Sequence, residues 1–246
     1  MNIKTVLCGS AFLALAVGAF MPGKALATPI IIPPTTLSVL IDHSGGANPS
    51  ITIGSLTFSD FSYLGTGDMP SAGGVNVDAY VDPITNDIGL KFQGSFLDFP
   101  GSSGSDALID FKVTENDPDK LVTSAALAGN PSVIPMGPGA SGVASVTETF
   151  LPTNPTPQLT IFASLNNGVP GPTKLTDTGN FATGQSTVFV QKDVLTFNGT
   201  NSVPMLSFIT QTFHETGGHI PEPSTVVLMG IGIVGLTLRY WRQRKA

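Results

Sequence analysis

The chain has 246 residues, with 17 Asp and Glu against 11 Lys and Arg, for a net charge of −6. Between residues 28 and 220 the imbalance is stronger, because five lysines and no arginine stand against sixteen acids. Phosphate binding needs many cationic side chains, so this composition excludes nucleic acid as a natural partner. The 28 glycines and 20 prolines favour strands joined by turns over helices.

Residues 1–27 have the features of a secretory signal peptide. A lysine near the start precedes an apolar run, Val6 to Phe20, and Ala25 and Ala27 supply the small residues of an A-x-A cleavage site. Cleavage after Ala27 makes Thr28 the first residue of the mature chain. The sequence therefore predicts a protein that is exported.

Residues 28–213 are predicted to form a single all-β domain, a β-sandwich or jelly-roll-like fold. Cys8, the only cysteine, leaves with the signal peptide, so no disulfide and no Cys-ligated metal can stabilise the mature fold. About eleven short runs alternate apolar and polar residues between turn signals, which is typical of two-sheet folds. The alternation is clearest in three runs, whose inward positions are Ile88, Leu90, Phe92, Gly94 and Phe96; Ala107, Ile109, Phe111 and Val113; and Leu159, Ile161, Ala163 and Leu165.

Two further segments are harder to assign from their pattern. A strand is predicted around Val39, where the apolar residues of TLSVLID cluster. The segment Lys120–Gly129 fits either a short helix over a sheet edge or a strand, because its length allows both.

Two acidic loops are the candidate metal sites. Asp82 and Asp87 lie in one, and Asp117 and Asp119 in the other, and such oxygen ligands suit calcium. Neither loop has the spacing of a calcium-binding EF-hand loop. The alternative role is an Asx turn next to a proline, which is the interpretation that turn chemistry favours. No cofactor is expected, with calcium left open.

The motif HETGGH is not a zinc-protease signature. His214 and His219 are five residues apart, so a helix would turn them to different faces, and two glycines between them disfavour a helix. Residues 214–220 are therefore predicted to be a polar linker. No G-x-S-x-G motif occurs either, and we expect a protein that is not an enzyme.

Residues 221–246 have three consecutive parts. A polar Pro-Glu-Pro-Ser segment comes first, an apolar run of marginal membrane-spanning length follows, and a basic cluster ends the chain. Tyrosine and tryptophan suit the membrane interface, and the basic cluster suits the cytoplasmic side. The residues of the motif are Pro221, Glu222, Pro223 and Ser224; those of the membrane anchor are Val226, Leu228, Ile231, Ile233, Leu236, Tyr240 and Trp241; those of the basic stop are Arg239, Arg242, Arg244 and Lys245.

This order of parts resembles the PEP-CTERM sorting signal of exported proteins in Gram-negative bacteria. The resemblance implies an exosortase as the processing enzyme and a membrane-tethered precursor at the inner membrane. It also implies delivery to the cell surface or the extracellular space, with an association to exopolysaccharide or biofilm. Two prolines hold the motif extended, so the segment next to the bilayer stays accessible to an enzyme.

Two alternative functions remain open for the β domain. It could be a carbohydrate-binding or polysaccharide-active protein, for which Tyr63 and Tyr80 are aromatic candidates that could stack on sugars. It could also be a calcium-stabilised adhesin, whose melting temperature would fall on chelation.

Overall fold

The computed structural model describes residues 34–42, 44, 49–102, 104–151 and 158–217. The predicted signal peptide, sorting motif, membrane anchor and basic stop lie outside these residues. The described part is almost entirely strand. Its strands are β1 (Thr35–Thr36), β2 (Ile51–Ile53), β3 (Leu56–Thr66), β4 (Asn76–Val81), β5 (Ile88–Leu97), β6 (Ser105–Glu115), β7 (Leu121–Gly129), β8 (Ser132–Pro135), β9 (Ser141–Leu151), β10 (Leu159–Asn166), β11 (Val169–Lys174), β12 (Thr176–Gln185), β13 (Thr187–Thr200) and β14 (Ser202–Thr216).

The strands form two antiparallel sheets, which confirms the predicted all-β, two-sheet architecture at that level. The first sheet has the order β1-β4-β5-β14-β7-β12, with β8 also paired to β14. The second has the order β11-β10-β9-β13-β6-β3-β2. The chain crosses between the sheets after β13, so the consecutive long strands β13 and β14 lie near the centre of different sheets.

The two sheets pack face to face because alternate residues of their strands are apolar and point inward. The rings of Phe58 and Phe213, one from each sheet, lie 6.0 Å apart between centroids, and those of Phe92 and Phe111 lie 5.8 Å apart. The inward residues predicted for β6 and β10 are buried, as are Leu90, Phe92 and Phe96 of β5. All of these side chains except Ala163 and Leu165 belong to one hydrophobic core cluster between the sheets.

Sequence reasoning missed several edge elements. The segment around Val39 is not a strand: α1 (Leu37–Leu40) is a short helix that buries Leu37 and Leu40 and leaves Val39 57% exposed. β1, β11 and β12 lie at sheet edges; β1 has only two residues, and the proline or glycine content of β11 and β12 concealed them. Edge strands tolerate such residues because one side of their backbone is unpaired.

β14 settles two other assignments. The segment Lys120–Gly129 contains a strand, β7, whose backbone pairs with β14 from Leu121 to Gly129. The predicted start of the linker at His214 is wrong, because β14 continues to Thr216. Three residues of the predicted linker, His214, Glu215 and Thr216, therefore belong to the sheet, where pairing with β7 satisfies their backbone groups.

Candidate functional site

The end of β14 is the place where the described chain leaves the domain. Three loops converge on it: the β2–β3 turn, the β4–β5 loop and the β6–β7 loop. We call this region the C-terminal rim and define it by Ser55, Asp87, Glu115, Lys120, His214 and Glu215, which contact one another in two groups. Both loops that carry the calcium candidates thus lie at this rim.

The first group joins two carboxylates through a serine and a lysine. Ser55 Oγ donates a hydrogen bond to Glu215 Oε1 at 2.6 Å and lies 3.3 Å from Glu115 Oε2. Lys120 Nζ lies 3.0 Å from Glu215 Oε2. Burial, together with the neighbouring charge of Glu215, raises the pKa of Glu115 to about 7. The hydrogen bonds from Ser55 and Lys120 lower the pKa of Glu215, although burial opposes them. The rim therefore holds one carboxylate ionised and keeps a proton on the other near neutral pH.

The second group is a histidine–carboxylate contact at the edge of the first sheet. His214 Nδ1 lies 2.7 Å from Asp87 Oδ1, with the two side chains 48% and 16% exposed. A cavity of about 160 Å³ lies beside the pair, and its lining residues are Thr85, Asn86, Asp87, Ile88, Phe213, His214 and Glu215. Among the described residues, no three His, Cys, Asp or Glu side chains are grouped so that they could hold a metal ion.

The four calcium candidates form hydrogen bonds within their own loops or to the rim. Asp82 Oδ1 accepts hydrogen bonds from the backbone N–H groups of Ile84 and Thr85, at 2.8 and 3.0 Å. These donors lower the pKa of Asp82. In the other loop, Asp117 Oδ1 accepts from the backbone N–H of Asp119 at 3.1 Å. Asp82 and Asp117 thus serve Asx turns, which was the alternative role considered for them.

The outer face of the second sheet carries an exposed apolar stripe along β13. Phe189 and Phe197 are 49% and 46% exposed, and Leu195 between them is 40% exposed. Asp193 lies between these residues on the same face of β13, and partial burial together with the neighbouring carboxyl group of Asp106 raises its pKa to about 6. We call this surface, from Phe189 to Phe197, the β13 stripe.

The predicted sugar-stacking tyrosines do not belong to the β13 stripe. Tyr63 is half-buried, and its hydroxyl donates a hydrogen bond to Pro70 O at 2.5 Å. Tyr80 is half-buried as well.

A third cluster lies inside the core. Glu148 of β9, Lys192 of β13 and Gln211 of β14 are each 0% exposed. Lys192 Nζ is in hydrogen-bond contact with Glu148 Oε2 and donates to Gln211 Oε1 at 2.9 Å. We call these three side chains the core triad. One sequence signal could have revealed it: Glu148 and Lys192 each occupy an inward position of an alternating strand.

Comparison with known proteins identifies the C-terminal segment. Residues 219–245 match the family described as the PEP-CTERM protein-sorting motif. The chain thus carries this sorting signal, which confirms the resemblance inferred from Pro221, Glu222 and Pro223. The signal marks an exported protein that is sorted to the cell surface. The match lies outside the described residues; within them, no helix is long and apolar enough to cross a membrane.

No curated protein sequence matches the chain. Among solved structures, a mannan-recognising carbohydrate-binding module, TmCBM27, is 8% identical at a TM-score of 0.25, over 76% of this chain and 99% of that one. The enzymatically active domain of tailspike protein 4 from bacteriophage CBA120 is 10% identical at a TM-score of 0.24, over 63% of this chain and 19% of that one. The arabinose-bound α-L-arabinofuranosidase MgGH51 is 13% identical at a TM-score of 0.22, over 74% of this chain and 25% of that one. This chain thus spans about a fifth of the tailspike domain and a quarter of the arabinofuranosidase.

Proposed function

We propose that the protein is a non-enzymatic surface or matrix protein that an exosortase releases from a membrane tether. In this account residues 1–27 direct export, the apolar run after Ser224 anchors the precursor in the inner membrane, and the basic stop stays in the cytoplasm. Cleavage near Pro221-Glu222-Pro223 then frees the β domain for the cell surface or an extracellular polymer.

The observation that carries this proposal is the position of the sorting motif relative to the fold. β14 ends at Thr216, and the matched motif begins at residue 219. A strand from the centre of the first sheet therefore leads almost directly into the motif. Because that strand is paired on both sides, the folded domain ends only a few residues before the proposed cleavage site.

The experiment replaces Pro221, Glu222 and Pro223 with alanine in a cell that contains the exosortase. The variant is expected to remain in the membrane fraction at full mature length, whereas the parent is shortened and released. Replacing Pro170 and Pro172 of the exposed edge strand β11 with alanine is the matched control, and it should be processed like the parent. Equal shortening and release of the motif variant would refute the proposal.

A second candidate function is polysaccharide binding through the β13 stripe, and the exposed rings of Phe189 and Phe197 favour it. Exposed aromatic rings with neighbouring acids suit stacking and hydrogen bonding to sugars. The double change Phe189→Ala and Phe197→Ala should abolish retention on exopolysaccharide isolated from the producing cells. The matched control is Ile84→Ala, which removes a side chain that is 88% exposed in the β4–β5 loop. Retention of both variants equal to the parent's would remove this candidate.

A further inference from the structure

The core triad places an amine, a carboxamide and a carboxyl group in contact inside an otherwise apolar core. Glu148 faces inward between Val146 and Phe150 on β9. Lys192 faces inward between two valines of β13, and Gln211 between Ile209 and Phe213 of β14. Glu148 and Lys192 are directly opposite in the β9–β13 pairing, and Gln211 reaches them from the other sheet.

The triad is incompletely satisfied by hydrogen bonds. Among the described residues, Glu148 Oε1 and Gln211 Nε2 are buried without a partner in hydrogen-bonding geometry, although Gln211 lies close enough to Glu148 to oppose the rise of its pKa. The fold can satisfy a buried carboxylate fully elsewhere: Asp98, 0% exposed, accepts from Ser105 Oγ at 2.7 Å and from the backbone N–H of Asn198 at 2.8 Å. Unpartnered buried polar atoms are costly in a core and rare in native proteins, so those of the triad call for an explanation.

Burial also acts on the charge state of the triad. It raises the pKa of Glu148 and lowers the pKa of Lys192, because a charged group loses its hydration inside the core. Both shifts favour the neutral pair, a carboxylic acid beside a free amine. A neutral amine has the lone pair that a nucleophile needs, and a carboxylic acid can donate and accept a proton.

We propose that Lys192 and Gln211 become joined by an intramolecular isopeptide bond, which forms after folding with Glu148 as the proton carrier. Lys192 Nζ lies 2.9 Å from Gln211 Oε1. Because a carbonyl bond is about 1.2 Å long, Nζ is within about 4 Å of the carboxamide carbon Cδ, near the distance from which attack occurs. The folded core thereby holds the two reacting groups together.

The reaction balances without any cofactor or oxidant. The lone pair of Lys192 Nζ forms the new bond to Gln211 Cδ. The Glu148 carboxylic acid stabilises the negative charge that develops on Gln211 Oε1. Glu148 transfers a proton from Nζ to Nε2, the Cδ–Nε2 bond breaks, and ammonia leaves with its electron pair. One primary amine and one carboxamide give one secondary amide and one ammonia, and Glu148 ends in the protonation state in which it began.

Gln211 is the electrophile that the geometry favours over Glu148. If Glu148 were itself joined to Lys192, no acid would remain in the triad to move the protons. Attack on Gln211 also expels Nε2, one of the two atoms that lack a partner. The resulting bond connects β13 of the second sheet to β14 of the first, so it links the two sheets covalently. After export the chain has no cysteine, and this bond would supply a cross-link that disulfides cannot.

The test is a tryptic peptide map of the full-length protein, purified from a host without exosortase and denatured before digestion. Trypsin cannot cut after an acylated lysine. The map should therefore contain a single peptide from Leu175 to Arg239, uncut after Lys192. Its mass should be about 17 Da below that of the unmodified Leu175–Arg239 peptide, because one ammonia is lost. Fragmentation should leave the segment between Lys192 and Gln211 unbroken as a closed loop.

Two variants and a matched control test the roles within the triad. Glu148→Gln keeps the shape but removes the proton carrier, and Gln211→Met removes the electrophile. Both should restore cleavage after Lys192 and the unmodified peptide masses. Gln191→Met, an exposed change next to Lys192, should keep the link.

The map of the parent protein decides the proposal even if a triad variant fails to fold. Stoichiometric recovery of unmodified Leu175–Lys192 from the parent would overturn it. So would a species about 18 Da lighter that joins Leu121–Lys174 to the peptide starting at Leu175, because loss of water would place the link on Glu148.

Discussion

Replacing Glu115 with glutamine removes the carboxyl group that the C-terminal rim keeps protonated near neutral pH. The pKa of Glu115 is raised from 4.5 to about 7, so the folded protein holds this proton more tightly than the unfolded chain. The associated stability is present below about pH 4.5 and is lost as the pH rises through about 7. A shift of this size corresponds to roughly 3 kcal/mol at full weight, and solvent screening at the rim reduces it to about 1–2 kcal/mol.

Glu115→Gln should therefore unfold like the parent at about pH 4 and be more stable by about 1–2 kcal/mol at about pH 8. The assay is urea unfolding at both pH values, with the free energy of unfolding as the readout. Glu215→Gln is the matched control of opposite sign, because the pKa of Glu215 is lowered and its ionised form contributes stability. An equal free-energy difference between Glu115→Gln and the parent at both pH values would refute the reasoning.

Two further predictions concern packing. In Gly89→Ala the new Cβ would lie 1.7 Å from the backbone oxygen of Gln211, so β5 and β14 must separate. We expect the free energy of unfolding, measured in urea, to fall by about 3 kcal/mol or more. In the control Gly73→Ala the new Cβ meets nothing closer than 3.7 Å and stability should change little, so equal effects of the two changes would contradict the account. Phe111→Ala should cost about 3–5 kcal/mol in the same assay, because the ring is 2% exposed in the core, whereas Phe99→Ala, at 54% exposure, should cost under about 1 kcal/mol.

The strands with regular alternation were predictable because burial of one sheet face imposes a period of two on the sequence. β6 shows this most clearly, since Ala107, Ile109, Phe111 and Val113 are all buried. The segment around Val39 misled for a physical reason. A run with two leucines three residues apart, Leu37 and Leu40, suits one turn of helix as well as a strand.

The C-terminal rim could not be predicted, because its contacts depend on sheet register. Ser55 and Glu215 are 160 residues apart in sequence, and Asp87 and His214 are 127 apart. Pairing between distant strands sets both contacts, and a local pattern carries no information about which strands pair. The core triad was predictable in part, since an inward position could be assigned to Lys192 from the valines around it, but its partner Gln211 lies on the other sheet.

The mass of the protein released from its native cell tests the central claim most directly. If an exosortase frees the β domain, the released protein begins at Thr28 and ends near Pro221-Glu222-Pro223, without the membrane anchor and without Arg239 or any later residue. Intact mass measurement with C-terminal sequencing should show this shortened end. Released protein that still carries the complete C-terminus to Ala246 would contradict the account.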